Sequence, residues 1–417
     1  MGRHCEHFGG NVLMGKIETD HTGSGGGITL SSDGTSLLLD GTAVGGSPDL
    51  YAENYDGTST KPSATGTNAV AIGRDARATN TGAFAVGRLA DATGSGSVAI
   101  GYNADATGNN SISLGENSVA SGEDSIAMGY HGDATAAYAV VIGNSSAGHG
   151  PAAAGAGAMA LGGAYASGIS SFAVHQQNNT NSYGATGANS VAIGRLSKAT
   201  GSDSFAIGDN NSVIAGDAFA LGNTNTVSGG GTAFAIGANH TVSGTLAACI
   251  GGSTSTATQT YAMTFGPYAK AAVQNAFIFG SKGWFSAGSA QGGMYILYAD
   301  TTDATAEALT TTNSTAGSTN QIVAASDTCI TFSGTIVAMQ NGAQSYGSWK
   351  IEGLLVNDGG TTTLANSAIT VIQNASSWGL ALSADNTNNA LTVQVTGEAS
   401  HNIRWVANVQ TSEVTYA

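Results

Sequence analysis

Few residues in this 417-residue chain have types and spacing suited to chemistry. His4, Cys5 and His7 stand together near the N-terminus, and three copies of such a histidine around a threefold axis could hold a metal ion. The plainer reading is a polar tail. Asp91 and Asp105 lie 14 residues apart, in a column that starts at Arg77 and runs on through Val119 and Asp133. Stacked on adjacent strands, Arg77 over Asp91 attracts and Asp91 over Asp105 repels. A bound cation would relieve that repulsion, and so would exposure to water. Asp300 and Asp303 are neighbours in sequence, but a carboxylate pair needs a groove that holds substrate between its members. No zinc-type His/Cys spacing and no GxSxG nucleophile turn stands out. The expectation is a protein without catalytic residues and without a resident cofactor. The three cysteines, at 5, 249 and 329, form no disulfide framework and suit folding in a reducing compartment. Cys249, between Ala248 and Ile250, reads as a small buried hydrophobe.

The elements that carry these residues follow from composition. Charged residues make up 9% of the chain, against roughly 25% in ordinary soluble domains. Glycine numbers 62, which disfavours long helices, and four prolines cannot support a collagen helix. A net charge of −15 repels nucleic-acid phosphate. No apolar stretch is long enough for a membrane span, and the first twenty residues lack a signal-peptide core. Alanine, glycine, serine and threonine dominate, so the bulk for a thick core is missing.

The chain instead repeats. The theme Ser97-Val98-Ala99-Ile100-Gly101 recurs with its glycine at 73, 87, 101, 115, 129 and 143, then at 162, 194, 208, 222, 237, 251, 266 and 280. A further copy ends at His175, making fifteen copies with a dominant step of 14. Large apolar residues stand three and one places before the glycine (Val98, Ile100; Phe205, Ile207), with a small residue between them. Such alternation marks a β-strand with two unlike faces. A second short column, Ala-Thr/Ser-Gly, follows in each unit: Ala92-Thr93-Gly94, Ala106-Thr107-Gly108. Two short strands and two turns in 14 residues make one rung of an all-β parallel solenoid, and fifteen rungs give a rod on the order of 70 Å. The small face cannot bury the bulky one, so one apolar face must pack against further copies of the chain. Spacing alone leaves open which face looks inward.

These columns resemble the YadA-like head repeat of trimeric autotransporter adhesins. Gly96-Ser97-Val98-Ala99-Ile100-Gly101-Tyr102-Asn103-Ala104-Asp105-Ala106 matches that unit nearly column for column. The resemblance implies a left-handed parallel β-roll and an obligate homotrimer, over residues 61–285.

The remaining segments read differently. Residues 1–60 carry no rung. Two short strands around Ser32-Asp33-Gly34 suggest a small β attachment segment there. Residues 286–417 lose the period and show longer β-runs: Met294–Ala299, Thr328–Gln340, Ser348–Asn357, Ala368–Gln373, Trp378–Ala384, Ala390–Thr396 and Asn402–Gln410. They predict an antiparallel β-sandwich with Trp349, Trp378 and Trp405 in its core. Its last strand, Ile403 to Val414, resembles the C-terminal module of structural proteins from tailed bacteriophages. Phe265, Phe277, Phe279, Trp284 and Phe285 read as a cap that shields the last rung and docks this sandwich. Two steps of 19 residues, 143→162 and 175→194, imply extruded loops. Within them His149, Asn178, Asn179 and Tyr183 are receptor-contact candidates, with neutral loop drift as the alternative.

An adhesin of this type needs an export signal, a stalk and a membrane barrel, and the sequence shows none. A virion protein assembled in the host cytoplasm needs no such parts. The expectation is a trimeric fibre of a tailed bacteriophage, most simply a tail fibre that binds a host surface glycan or protein. Residues 1–60 would hold it to another virion protein, with neither membrane insertion nor nucleic acid involved. A capsid (head) fibre or decoration protein is the alternative, and a bacterial adhesin passenger the remoter one.

Overall fold

A computed structural model describes residues 30–32, 37–39, 42–44, 60–144, 152–174, 182–284, 286–342, 345–374 and 378–416. The described residues are all strand, turn and loop, with no helix. Leu30–Ser32, Leu37–Leu39 and Thr42–Val44 pair antiparallel, adding a third strand to the two expected.

From residue 63 the chain coils into a solenoid of two parallel ladders. One stacks fifteen two-residue strands, from Ser63–Ala64 to Lys270–Ala271. The other stacks fifteen longer strands, from Val70–Ile72 to Phe277–Gly280. The register follows the sequence column for column: Ile112 lies between Val98 and Ile126, and Ser113 between Ala99 and Ala127. The parallel register also continues across both long steps, with Val140 beside Met159 and Phe172 beside Val191.

Each rung turns twice through left-handed backbone. Asn103 and Asn110, both at φ 53°, show the pattern, asparagine tolerating this region better than most residues. Beside the second turn, a Cβ added at Gly108 would overlap the carbonyl oxygen of Gly122 on the next rung, so glycine at 108 lets these two rungs approach. Before some of the long strands a serine caps the same turn: Ser97 Oγ donates to the Gly94 carbonyl (2.8 Å) and Ser125 Oγ to that of Gly122 (2.7 Å).

The structure settles which face looks inward. The small column is sealed inside: Ala99, Ala104 and Ala106 have no exposure, nor does Ser97. The two strands of a rung face each other so closely that Ser113 Oγ meets Ser118 Oγ at 2.7 Å across the interior. At these levels the gap is filled by methyl- or hydroxymethyl-sized groups, each buried methyl contributing about 0.8 kcal/mol. The bulky column therefore points outward, and Ile142 (46%) and Phe205 (41%) are substantially exposed.

At the last rung the long ladder passes into an antiparallel sheet. Phe277–Gly280 pairs with Ala290–Thr301, which pairs with Ile403–Thr415, then Thr328–Gln340, Tyr346–Asp358 and the edge strand Thr361–Asn374. Gly359 and Gly360, both at positive φ, form the tight turn into the edge strand. A smaller sheet forms around Ala390–Thr396, with Gly379–Asp385, Ala306–Ala308 and Ile322–Val323 as its neighbours. Between the sheets lie Trp349, Trp378 and Trp405, all buried, with the first two rings 5.4 and 5.5 Å from the third.

The expected aromatic cap is corrected. Phe277 and Phe279 occupy the outward column, where Phe279 is exposed and stacks on Phe265 at 5.5 Å. Trp284 is exposed as well, and Phe285 lies outside the described residues. Strand parity turns these rings outward and Ile278 inward. The last rung is closed by strand pairing, with Ile278 and Tyr295 buried at the seam.

Candidate functional site

The candidate site residues are scattered rather than gathered. His4, His7, His149, Asn178 and Asn179 lie outside the described residues. Tyr183 is half-buried beside the second long step. Asp91 and Asp105 are brought together as the 14-residue step requires, in direct parallel register. Arg77 Nη1 reaches Asp91 Oδ2 at 3.1 Å. Burial, and next the Asp91 charge, push the Asp105 carboxyl above its usual range, while Arg77 pulls the other way. The same arrangement recurs in the column one place after the rung glycine, where Arg195 Nη2 meets Asp209 Oδ2 at 2.6 Å and Asn223 Nδ2 donates to that oxygen (3.2 Å). Among the described residues no group of three or more His, Cys, Asp or Glu could hold a metal ion. Asp300 is engaged with Arg404 (3.2 Å), and Asp303 caps its own turn by accepting the Thr305 N–H.

The largest continuous feature is a surface. The inward face of the roll runs into the sandwich interior, since Ile278 pairs with Gly293 and both are buried. The outward face therefore runs into the exposed face of the five-stranded sheet. There Tyr298, Val406 and Val337 lie side by side across three strands, each well exposed. Beside them runs a second row, Asp300, Arg404, Met339 and Tyr346, in register on four strands. A cavity of about 510 Å³ opens at this end of the sheet, between Asp300, Met339, Asn341, Asn402 and Arg404. The sequence reading missed this row, because its members sit 104, 65 and 7 residues apart and only register aligns them.

A polar network fixes the sheet to the last rung. Glu413 accepts from Gln291 Nε2 (2.8 Å), Thr411 Oγ1 (2.7 Å) and Tyr295 Oη (3.3 Å). Gln291 Oε1 in turn accepts the Lys270 backbone N–H (2.9 Å). Burial raises the Glu413 carboxyl, and these three donors oppose the rise.

A second missed feature is a polar ladder inside the roll, three or four places after the rung glycine: Ser197, Asn211, Asn225, His240 and Ser255, all buried. The first three rungs have alanine there (Ala76, Ala90, Ala104). Asn225 Nδ2 donates to Asn211 Oδ1 (2.9 Å) and to the Gly237 carbonyl (2.9 Å), while Asn225 Oδ1 accepts the His240 N–H (3.0 Å). The change from alanine to Ser, Asn and His in one column was the available signal.

Comparison with known proteins agrees with the rung geometry. Residues 64–90, 78–104, 92–115, 106–131 and 185–211 match the YadA head domain repeat. No curated protein matches the chain. Among solved structures it is similar to the tailspike protein gp49 from Acinetobacter baumannii bacteriophage Fri1, described as a capsular polysaccharide depolymerase, at 11% identity and TM-score 0.20. That match covers 72% of this chain and 59% of the tailspike, less than two thirds of its length. The Acinetobacter baumannii phage AM24 tailspike protein is similar at 10% identity and TM-score 0.16, over 70% of this chain and 67% of that one. No helix is long and apolar enough to cross a membrane among the described residues. The chain carries YadA head repeats, and it carries them on a β-solenoid that ends in antiparallel sheets.

Proposed function

We propose that this chain is a homotrimeric fibre of a tailed bacteriophage, located at the tail and contacting the host surface. The observation that carries the reading is the outward apolar column. Ile100, Ile142, Phe205, Leu221 and Phe279 are exposed along one face of a rod whose interior is already full. Monomeric proteins rarely expose contiguous apolar surface on this scale. Further copies of the chain around a common axis would cover it, which is the association the YadA head repeat implies. In this reading the roll is a stiff spacer, residues 1–60 join it to another virion protein, and residues 286–417 form the far end. Binding rather than catalysis is the role we read here: Asp91, Asp209 and Asp300 are held in ion pairs, and Asp303 in its own turn. Each copy adds a charge of −15, which suits a neutral host glycan, a cation-bridged contact or salty surroundings that screen the repulsion.

Immunogold electron microscopy of intact particles, with antibody raised against this chain, tests the assignment. Gold at the tail is the expected result. Gold over the head would make the chain a capsid fibre or decoration protein. Gold on bacterial surfaces, with particles unlabelled, would return it to the adhesins. Sedimentation of the full chain tests the assembly separately: a trimer is expected, and Phe205→Glu should lower its association by at least tenfold.

A further inference from the structure

The polar ladder inside the roll has one member unlike the rest. At 211 and 225 the ladder residue is asparagine, whose side chain supplies both an acceptor for the next backbone N–H and a donor for the next glycine carbonyl. At 240 the same place holds a histidine, 1% exposed. Its Nδ1 accepts the backbone N–H of Ser255 at 3.1 Å. A backbone N–H can only donate, so Nδ1 carries no proton and the ring is the neutral Nε2–H tautomer. The ring fills the space beside Gly237 (φ +139°), where an added Cβ would strike Nε2.

We infer that His240 is an acid-sensitive link in the rod: protonation at Nδ1 breaks the ladder between the 240 and 255 rungs and opens the roll there. The protonated ring would set an N–H against the Ser255 N–H, in a stretch of the roll with no counter-charge. From 218 to 269 the chain has no Asp, Glu, Lys or Arg, and His240 is its only histidine. The ladder neighbours on either side of it are Asn225 and Ser255, neither of them charged. Cys249 is the other titratable group inside, and burial pushes its thiol up to about 11, so it stays neutral. Tyr261 and Tyr268 complete the titratable groups of the segment. Burial also lowers the His240 imidazole below its ordinary range; backbone hydrogen bonds with Ile236, Ser255 and Gly251 oppose this without reversing it. The sign follows. Because the folded value lies below the unfolded one, the link is intact above the unfolded pKa and weakens as pH falls from about 6.5 toward the folded value. Asparagine at the two preceding levels accepts the same backbone N–H without titrating and also donates to the next glycine carbonyl, a bond that His240 Nε2 does not make.

The test is hydrogen exchange on the full chain between pH 7.5 and pH 5, with rates corrected for intrinsic pH dependence. Protection of peptides covering 222–266 should fall by up to tenfold per pH unit in the wild type. Protection of the alanine-filled rungs 84–129 should stay level. His240→Asn, which restores the asparagine ladder, should abolish the fall. An equal fall in His240→Asn, or level protection in the wild type down to pH 5, would overturn the proposal. Nitrogen NMR of histidine-labelled wild-type rods gives a reading that needs no variant. Unprotonated Nδ1 at pH 7.5, gaining a proton on acidification, is the expected result; a protonated Nδ1 at pH 7.5 would sink the idea.

Discussion

Inside the roll the side chains at most levels are alanine or serine, whereas the terminal sheets close over three tryptophans whose rings lie 5.4 and 5.5 Å apart. The roll draws its stability from repetition: every rung adds backbone hydrogen bonds such as Val98 N–H to the Ser111 carbonyl (2.9 Å) and a few sealed methyls. The terminal unit concentrates its stability in a few large groups joined by long strands. The two regions should therefore fail in opposite ways. The roll tolerates no added volume, and the terminal unit tolerates no loss of it.

The sharpest way to break that contrast is Trp405→Ala. It removes a fully buried ring and the bond from its Nε1 to Thr301 Oγ1 (3.0 Å), and should cost about 4 kcal/mol. Calorimetry should show the terminal transition falling while the roll's stays in place; equal shifts of both would mean one cooperative unit. Ala99→Leu makes the complementary change, forcing three extra carbons between Ala85 and Ser113, and should cost about 2–3 kcal/mol in the roll alone. If it proves neutral, the interior is not as closely filled as its burial indicates.

Asn225→Ala should cost about 1–2 kcal/mol, because the His240 N–H and the Gly237 carbonyl lose their partner away from water. Local hydrogen exchange on rungs 222–251 reads this loss, and an unchanged pattern would show that the ladder is dispensable. The smallest effect is expected at Asp105→Asn. Asp105 sits beside Asp91 in an interrupted charge column, with its carboxyl raised by burial and by that neighbour. A raised folded value means that the charged form works against the fold at neutral pH and that this penalty fades as pH falls through the carboxylate range. The substitution should therefore stabilise the roll slightly at pH 7, by less than about 0.5 kcal/mol after solvent screening, and do nothing at pH 3. Destabilisation at pH 7 would show that the carboxylate is needed there.

Much of the fold was legible because its signals are local. The period, the columns Val98/Ile100 and Ala99, and the stacking of Arg77 on Asp91 all follow from spacing. The tryptophan core followed from residue type. The strand Thr361–Asn374 begins earlier than its apolar run, because the Gly359-Gly360 turn starts the pairing at once, and Ala306–Ala308 and Ile322–Val323 are too short to show a pattern. The aromatic cap was misread because large residues near an end suggest burial, whereas Phe277 and Phe279 keep the outward parity of their column.

The sequence by itself determined that the chain is a β-solenoid of short rungs, since a 14-residue period with alternating large and small residues fits few other folds. Only the tertiary structure decided that the alanines face in and the bulky residues face out, because alternation is the same seen from either side of a strand. It also decided which distant residues meet. Asp300, Arg404, Met339 and Tyr346 form one row through strand register, and His240 gains its chemistry from the Ser255 N–H one rung away. Those contacts depend on how the chain closes on itself in space, a distance that spacing along the sequence does not encode.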